Sequence, residues 1–118
     1  MRIAILDDSH ILRTALKNSL SMGGKEVVFD AGSSGELYDY LKKNTVDVVL
    51  LDVFFPDENG LDILSTLKTI DKKIKVLVVT GMNQRAITDE ARRLGADGIL
   101  FKPFGTDELF AELDKLKK

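Results

Sequence analysis

The chain has 118 residues, a size that holds one hydrophobic core, so a single domain over residues 1–118 is expected. With 44% hydrophobic and 31% charged residues it has the balance of a folded soluble domain, which excludes an intrinsically disordered chain. A net charge of −2, from 17 basic and 19 acidic residues, lacks the positive field that a phosphate backbone demands, and the absence of cysteine excludes disulfides, thiolate metal sites and cysteine nucleophiles. Direct nucleic-acid binding is therefore not expected.

The first apolar run, Ile3 to Leu6, ends at two aspartates. That is too short for a signal peptide or a membrane span, so no membrane insertion and a cytoplasmic location are expected. It reads instead as a strand. Ile11, Leu12, Ala15, Leu16 and Leu20 then recur at helical spacing, and Gly23-Gly24 supplies the left-handed stop that a helix end favours. Val27 to Phe29, bounded by Glu26 and Asp30, reads as an edge strand. A second helix opens on Ser33 with Glu36 three residues on, the pattern of a capping box, and buries Leu37 and Leu41. Val48 to Leu51 is the next strand, and after the Asn59-Gly60 turn a third helix presents Leu61, Leu64 and Leu67 on one side.

Val76 to Val79 is a further strand. The fourth helix, Gln84 to Leu94, is poorer than the others, with Ala86, Ile87, Ala91 and Leu94 as its apolar face. Less buried area means lower local stability, so this helix is the one expected to move. Ile99 to Phe101 and a fifth helix after Thr106, with Leu109, Leu113 and Leu116, complete the pattern. The continuous branched and aromatic runs at 3–6, 48–51, 76–79 and 99–101 read as central strands covered on both faces. Alternation from end to end predicts an α/β fold, a doubly wound parallel sheet with helices on both faces.

Ligands of such sheets bind beyond the carboxyl ends of the strands. Those ends carry Asp7-Asp8, Asp52, Thr80 and Lys102-Pro103. One polar strand ending is ordinary; four at one edge form a site. Carboxylates gathered in a small volume repel one another unless a cation neutralises them, and a hard cation such as Mg²⁺ suits oxygen ligands. Lys102 adds a point charge for an anion, and Thr80 a hydroxyl donor. Metal, ammonium and hydroxyl are what phosphoryl transfer requires, with a remaining carboxylate as nucleophile.

These residues closely resemble the receiver domain of two-component response regulators, the family that includes the single-domain chemotaxis regulators. The motifs are Asp7-Asp8, Asp52 with Pro56 and Gly60 behind it, Thr80-Gly81, and Lys102-Pro103-Phe104. The resemblance covers the whole chain and implies a flavodoxin-like sheet of five strands in the order 2-1-3-4-5. It implies that Asp52 accepts a phosphoryl group from a sensor histidine kinase or histidine phosphotransfer protein. Mg²⁺ would be held by Asp8, Asp52 and the backbone carbonyl of Phe54, with Asp7 acting partly through water. Thr80 and Lys102 would bind the phosphoryl oxygens, and the Lys102–Pro103 bond would be cis. The phosphorylated form would present a changed surface around the fourth helix, fifth strand and fifth helix to a downstream protein target.

Two departures from the family pattern stand out. Ile99 replaces the usual aromatic residue three positions before the lysine, so switching is expected to run through Thr80 and the fourth helix rather than through a ring. Phe54 and Met82 are apolar where polar residues are frequent, and with the attacking water poorly held the phosphorylated form is expected to be long-lived. His10 and the arginines Arg85, Arg92 and Arg93 read as solvated surface, and the glycines at 32 and 35 match no phosphate-binding loop. Two alternatives are a Mg²⁺-dependent phosphatase with an aspartate nucleophile, which wants a second acid where Ser9 stands, and an adaptor that is never phosphorylated.

Overall fold

The computed structural model describes residues 1–81 and 85–117. Along the chain run β1 (Arg2–Leu6), α1 (His10–Met22), β2 (Glu26–Ala31), α2 (Ser34–Leu41), β3 (Val48–Asp52), α3 (Gly60–Ile70), β4 (Lys75–Thr80), α4 (Arg85–Arg93), β5 (Gly98–Phe101) and α5 (Thr106–Lys115). The strands form one parallel sheet in the order β2-β1-β3-β4-β5. Architecture and strand order are those the sequence implied.

Alternate residues of each strand face opposite sides. Ile3, Ile5, Val48, Leu50, Leu77 and Val79 meet Leu16 and Leu20 of α1 and Leu109 and Leu113 of α5. On the other face Ala4, Leu6, Val49, Leu51, Val76 and Val78 meet Leu37 of α2, Ile63, Leu64 and Leu67 of α3, and Ala91 of α4. Most of these side chains are wholly buried, each contributing on the order of 1.5–3 kcal/mol.

Four local expectations need correction. β5 is an edge strand, not a central one: it pairs with β4 alone, and Leu100 is buried while Ile99 and Phe101 stay half-exposed. The stripe of α1 is narrower than its apolar residues suggest. Leu16 and Leu20 are buried and Leu12 partly so, whereas Ala15 is exposed and Ile11 is 82% exposed, because these two lie about 100° to one side of the 12-16-20 line.

The capping box of α2 does not form. Ser33 Oγ donates to Glu36 Oε1 at 3.2 Å, and the first helical amide, Ser34 N, is instead capped by the Glu58 carboxylate at 3.1 Å. A partner 24 residues away has displaced the local one. In α4, Ala86 is exposed and Thr88 takes its place beside Ala91 in the interior; Gln84 lies outside the described residues. The helix still buries little, as its composition required.

At the end of α1 the left-handed residue is Gly24, with φ of 78°. Gly23 has ordinary φ but no room, since a Cβ there would lie 2.1 Å from the Phe110 ring. Among the described residues no helix is long and apolar enough to cross a membrane.

Candidate functional site

Sheet register brings the strand ends together. Leu6 pairs with Leu51, Asp52 with Val79, and Thr80 with Phe101, so Asp7, Asp52, Thr80 and Lys102 fall along one edge. Carboxylate oxygens of Asp7, Asp8 and Asp52 all lie within 4.8 Å of one another. Asp7 and Asp52 are buried and Asp8 is exposed, giving the cluster an inner floor and an outer lip.

Lys102 reaches in from the end of β5. Its Nζ lies 3.0 Å from Asp52 Oδ2 and 3.4 Å from Asp7 Oδ2. The other oxygens of both buried acids are fixed by backbone amides: Phe54 N donates to Asp52 Oδ1 and Ser9 N to Asp7 Oδ1, each at 2.9 Å. Asp52 therefore presents its carboxylate in one orientation. Burial, the largest influence, pushes the Asp7 carboxyl up from its ordinary value, and the Asp52 charge adds to it; bonds from Ser9 N and Lys102 only partly offset this.

Three carboxylates face one ammonium, an excess of negative charge in a partly buried place. Every side-chain donor the acids offer is an oxygen, the chemistry of a hard cation with retained water such as Mg²⁺. The loop after β3 is held tightly. Phe54 bridges Asn59, Gly60 N donates to Val53 O at 3.2 Å, and a Cβ on Gly60 would meet Val53 Cα at 2.2 Å. Only glycine fits there, which explains in physical terms why the sequence places one eight residues beyond Asp52.

Thr80 is fully buried, and its carbonyl accepts from Lys102 N at 2.9 Å, linking β4 to the lysine. The Lys102–Pro103 peptide is cis and Pro103 is exposed beside it. The Phe54 side chain is 45% exposed. Ile99 sits apart from the acids, packed on the sheet face that carries α3 and α4. Met82 lies outside the described residues. His10 is exposed, with Nδ1 3.5 Å from Arg13 Nη2.

Sequence reasoning passed over Arg13. Its Nη1 donates to the Asp7 carbonyl oxygen at 2.6 Å and its Nε to Asp30 Oδ2 at 2.9 Å. An arginine one turn into a helix after an acidic pair was the available signal.

Fold, strand-end acids and lysine together define a receiver, and the chain belongs to the response regulator receiver domain family, whose model matches residues 3–114. It is similar to the chemotaxis protein CheY of Thermotoga maritima, 32% identical across 99% of this chain and 98% of that one. A second relative is the sporulation initiation phosphotransferase F of Bacillus subtilis, 32% identical across 92% of this chain and 86% of that one. Among solved structures, the CheY-like receiver domain protein of Methanospirillum hungatei superposes with a TM-score of 0.88 at 27% identity, covering 98% of this chain and 92% of that one.

Proposed function

We propose that this chain is a phosphorylation-controlled signalling module of a two-component system, that residues 1–118 form one receiver domain, and that Asp52 is its phosphoacceptor. The observation that carries the reading is the buried, oriented Asp52 carboxylate inside an acidic cluster that also holds Lys102. An oxygen of Asp52 forms the bond to phosphorus as the donor's phosphorus–nitrogen bond breaks. The donor is the phosphohistidine of a sensor kinase or phosphotransfer protein, whose imidazole leaves and takes up a proton.

Asp8, Asp52 and the Phe54 carbonyl would hold Mg²⁺, with Asp7 reaching it partly through water. The ion supplies charge neutralisation for the phosphoryl oxygens when bound. Lys102 exchanges part of its pairing with Asp7 and Asp52 for a phosphoryl oxygen, and the Thr80 hydroxyl is drawn toward the same group. Movement of Thr80 is passed to α4, the helix with the least apolar anchorage. A partner protein then reads the surface of α4, β5 and α5. Ile99 has no ring to swing, so it follows this movement and does not carry it.

The chain accepts and loses its own phosphoryl group and turns over no separate substrate. A cytoplasmic location belongs to the same reading. Ser9 speaks against the phosphatase alternative: its hydroxyl accepts from Leu12 N at 3.2 Å as the cap of α1 and brings no second acid to the strand end.

Incubation with phosphoramidate and Mg²⁺, followed by intact mass, tests the proposal. One added phosphoryl group, mapped to Asp52 after borohydride trapping and absent from Asp52→Asn, is the expected result. Undiminished labelling of Asp52→Asn, or none of the wild type, overturns it. The half-exposed Phe54 beside the acceptor gives a further readout: Phe54→Asn should shorten the life of the labelled form by offering a partner to the attacking water.

A further inference from the structure

We infer that Arg13, on α1, is a positioning residue for the metal-binding acids, acting through the peptide unit that joins Asp7 to Asp8. This rests on the reading of the acidic cluster as a Mg²⁺ site. The Asp7 carbonyl belongs to the peptide plane whose amide is that of Asp8. Its bond from Arg13 Nη1, at 2.6 Å, fixes the rotation of that plane and so the directions in which the two carboxylates leave the backbone. On the other side of Asp7, its own amide donates to Ala31 O at 3.1 Å. Both faces of the strand end are thereby pinned.

Arginine is suited to this by its rigid fork of donors. Nε is occupied by Asp30 Oδ2 at 2.9 Å, and Asp30 also pairs with Lys17 at 3.1 Å. The guanidinium is anchored from behind, and the Arg13 side chain as a whole is only 14% exposed. Gly32 closes over it, since a Cβ there would lie 3.0 Å from Nη1. Held in this way, the cation cannot turn into the cluster and compete with a metal ion. Asp30, shared between Arg13 and Lys17, holds the guanidinium behind the strand end, where it meets the Asp7 carbonyl and not the carboxylates.

Outer-shell partners of metal ligands typically change affinity by about 10- to 100-fold when removed. Arg13→Gln should therefore raise the Mg²⁺ dissociation constant, read by titration calorimetry, by about tenfold. In phosphoramidate labelling it should raise the half-saturating Mg²⁺ concentration equally while leaving the rate at saturating Mg²⁺ within about twofold. Arg13→Lys should not rescue the affinity, because a single ammonium cannot serve Asp7 and Asp30 in the same geometry. Lys17→Gln is the control: it weakens the same Asp30 pairing and should lower stability without moving the Mg²⁺ constant.

Unchanged Mg²⁺ affinity in Arg13→Gln, against normal binding by the wild type, overturns this inference alone. Equal loss of affinity in Lys17→Gln also overturns it, since the effect then follows stability. A wild-type chain that binds no Mg²⁺ overturns the site reading and this inference with it.

Discussion

Each end of the sheet holds lysines and aspartates in contact, and the two groups are built on opposite balances. At the amino-terminal end Asp97 is surrounded by cations and donors: Lys68 Nζ at 2.6 Å, Val76 N at 2.8 Å and Lys75 Nζ at 4.0 Å. Lys68 also donates to Ile74 O at 2.7 Å, so α3, β4 and the approach to β5 are tied at one point. At the carboxyl end one lysine faces three acids. Asp97 Oδ2 is held by two close donors, and its charge is outnumbered by the two lysines beside it. The acidic cluster is short of positive charge, an imbalance that suits the proposed Mg²⁺ site. The same two residue types thus serve as a rivet in one place and as a site in the other, and the ratio between them decides which.

Reversing that balance tests the comparison most severely at Lys102. Lys102→Ala removes the cation proposed to meet the phosphoryl oxygens and should slow labelling of Asp52 at saturating Mg²⁺ by about a hundredfold. A rate within threefold of wild type would remove the lysine from the chemistry. The matching change at the other end, Asp97→Ala, strands two lysines and the Val76 amide. It should lower stability in urea unfolding by about 2 kcal/mol while the Mg²⁺ constant stays within about twofold of wild type.

A smaller effect of opposite sign is expected at the site itself. Burial and the Asp52 charge raise the Asp7 carboxyl above its ordinary value, so its ionised form is disfavoured in the folded chain. Asp7→Asn should therefore make the metal-free protein more stable, by about 1 kcal/mol. A less stable variant, measured with chelator present, would mean that the repulsion is already relieved. Smallest of all is the Asp30 contribution. Burial pushes its carboxyl up, but bonds from Lys17 and Arg13 outweigh that and hold it below its ordinary 3.8. The stability it supplies is complete above 3.8 and is lost as pH falls through the lower, folded value. The gap between wild type and Asp30→Asn, about 0.5 kcal/mol at pH 7 for a partly buried pairing that is still reached by solvent, should close on acidification.

The strands and the acids at their ends were legible because each is written in consecutive residues: an apolar run, then Asp7-Asp8, Asp52, Thr80 or Lys102. Gly60 was legible as spacing, and its reason became visible only with Val53 against it. What escaped was long-range. The Glu58 cap on Ser34, the Lys68–Asp97 tie and the Arg13–Asp30 pair each join residues far apart in the chain, and no periodicity announces such a meeting. β5 was misjudged for a related reason. Its apolar run resembles those of β3 and β4 and suggests a central strand, although the strand order implied by the family resemblance already placed it at an edge. For Ile11 and Ala86, helical spacing permitted burial without requiring it.

Phe110 has a mechanical consequence beyond filling space. Its ring presses on the backbone of Gly23 so closely that no side chain fits, and Lys25 lies 5.9 Å above the ring while also pairing with Asp114 at 3.4 Å. The end of α1 and the outer half of α5 are thereby joined by one ring contact and one ion pair. Under the proposed switching, displacement at the acidic edge would meet this contact on the α1–α5 side of the sheet. On the opposite face α4 is seated on a threonine, one alanine and two half-buried aliphatics. The α1–α5 flank has an aromatic contact where α4 has small and partly buried residues, so the proposed movement is expected on the α4 side.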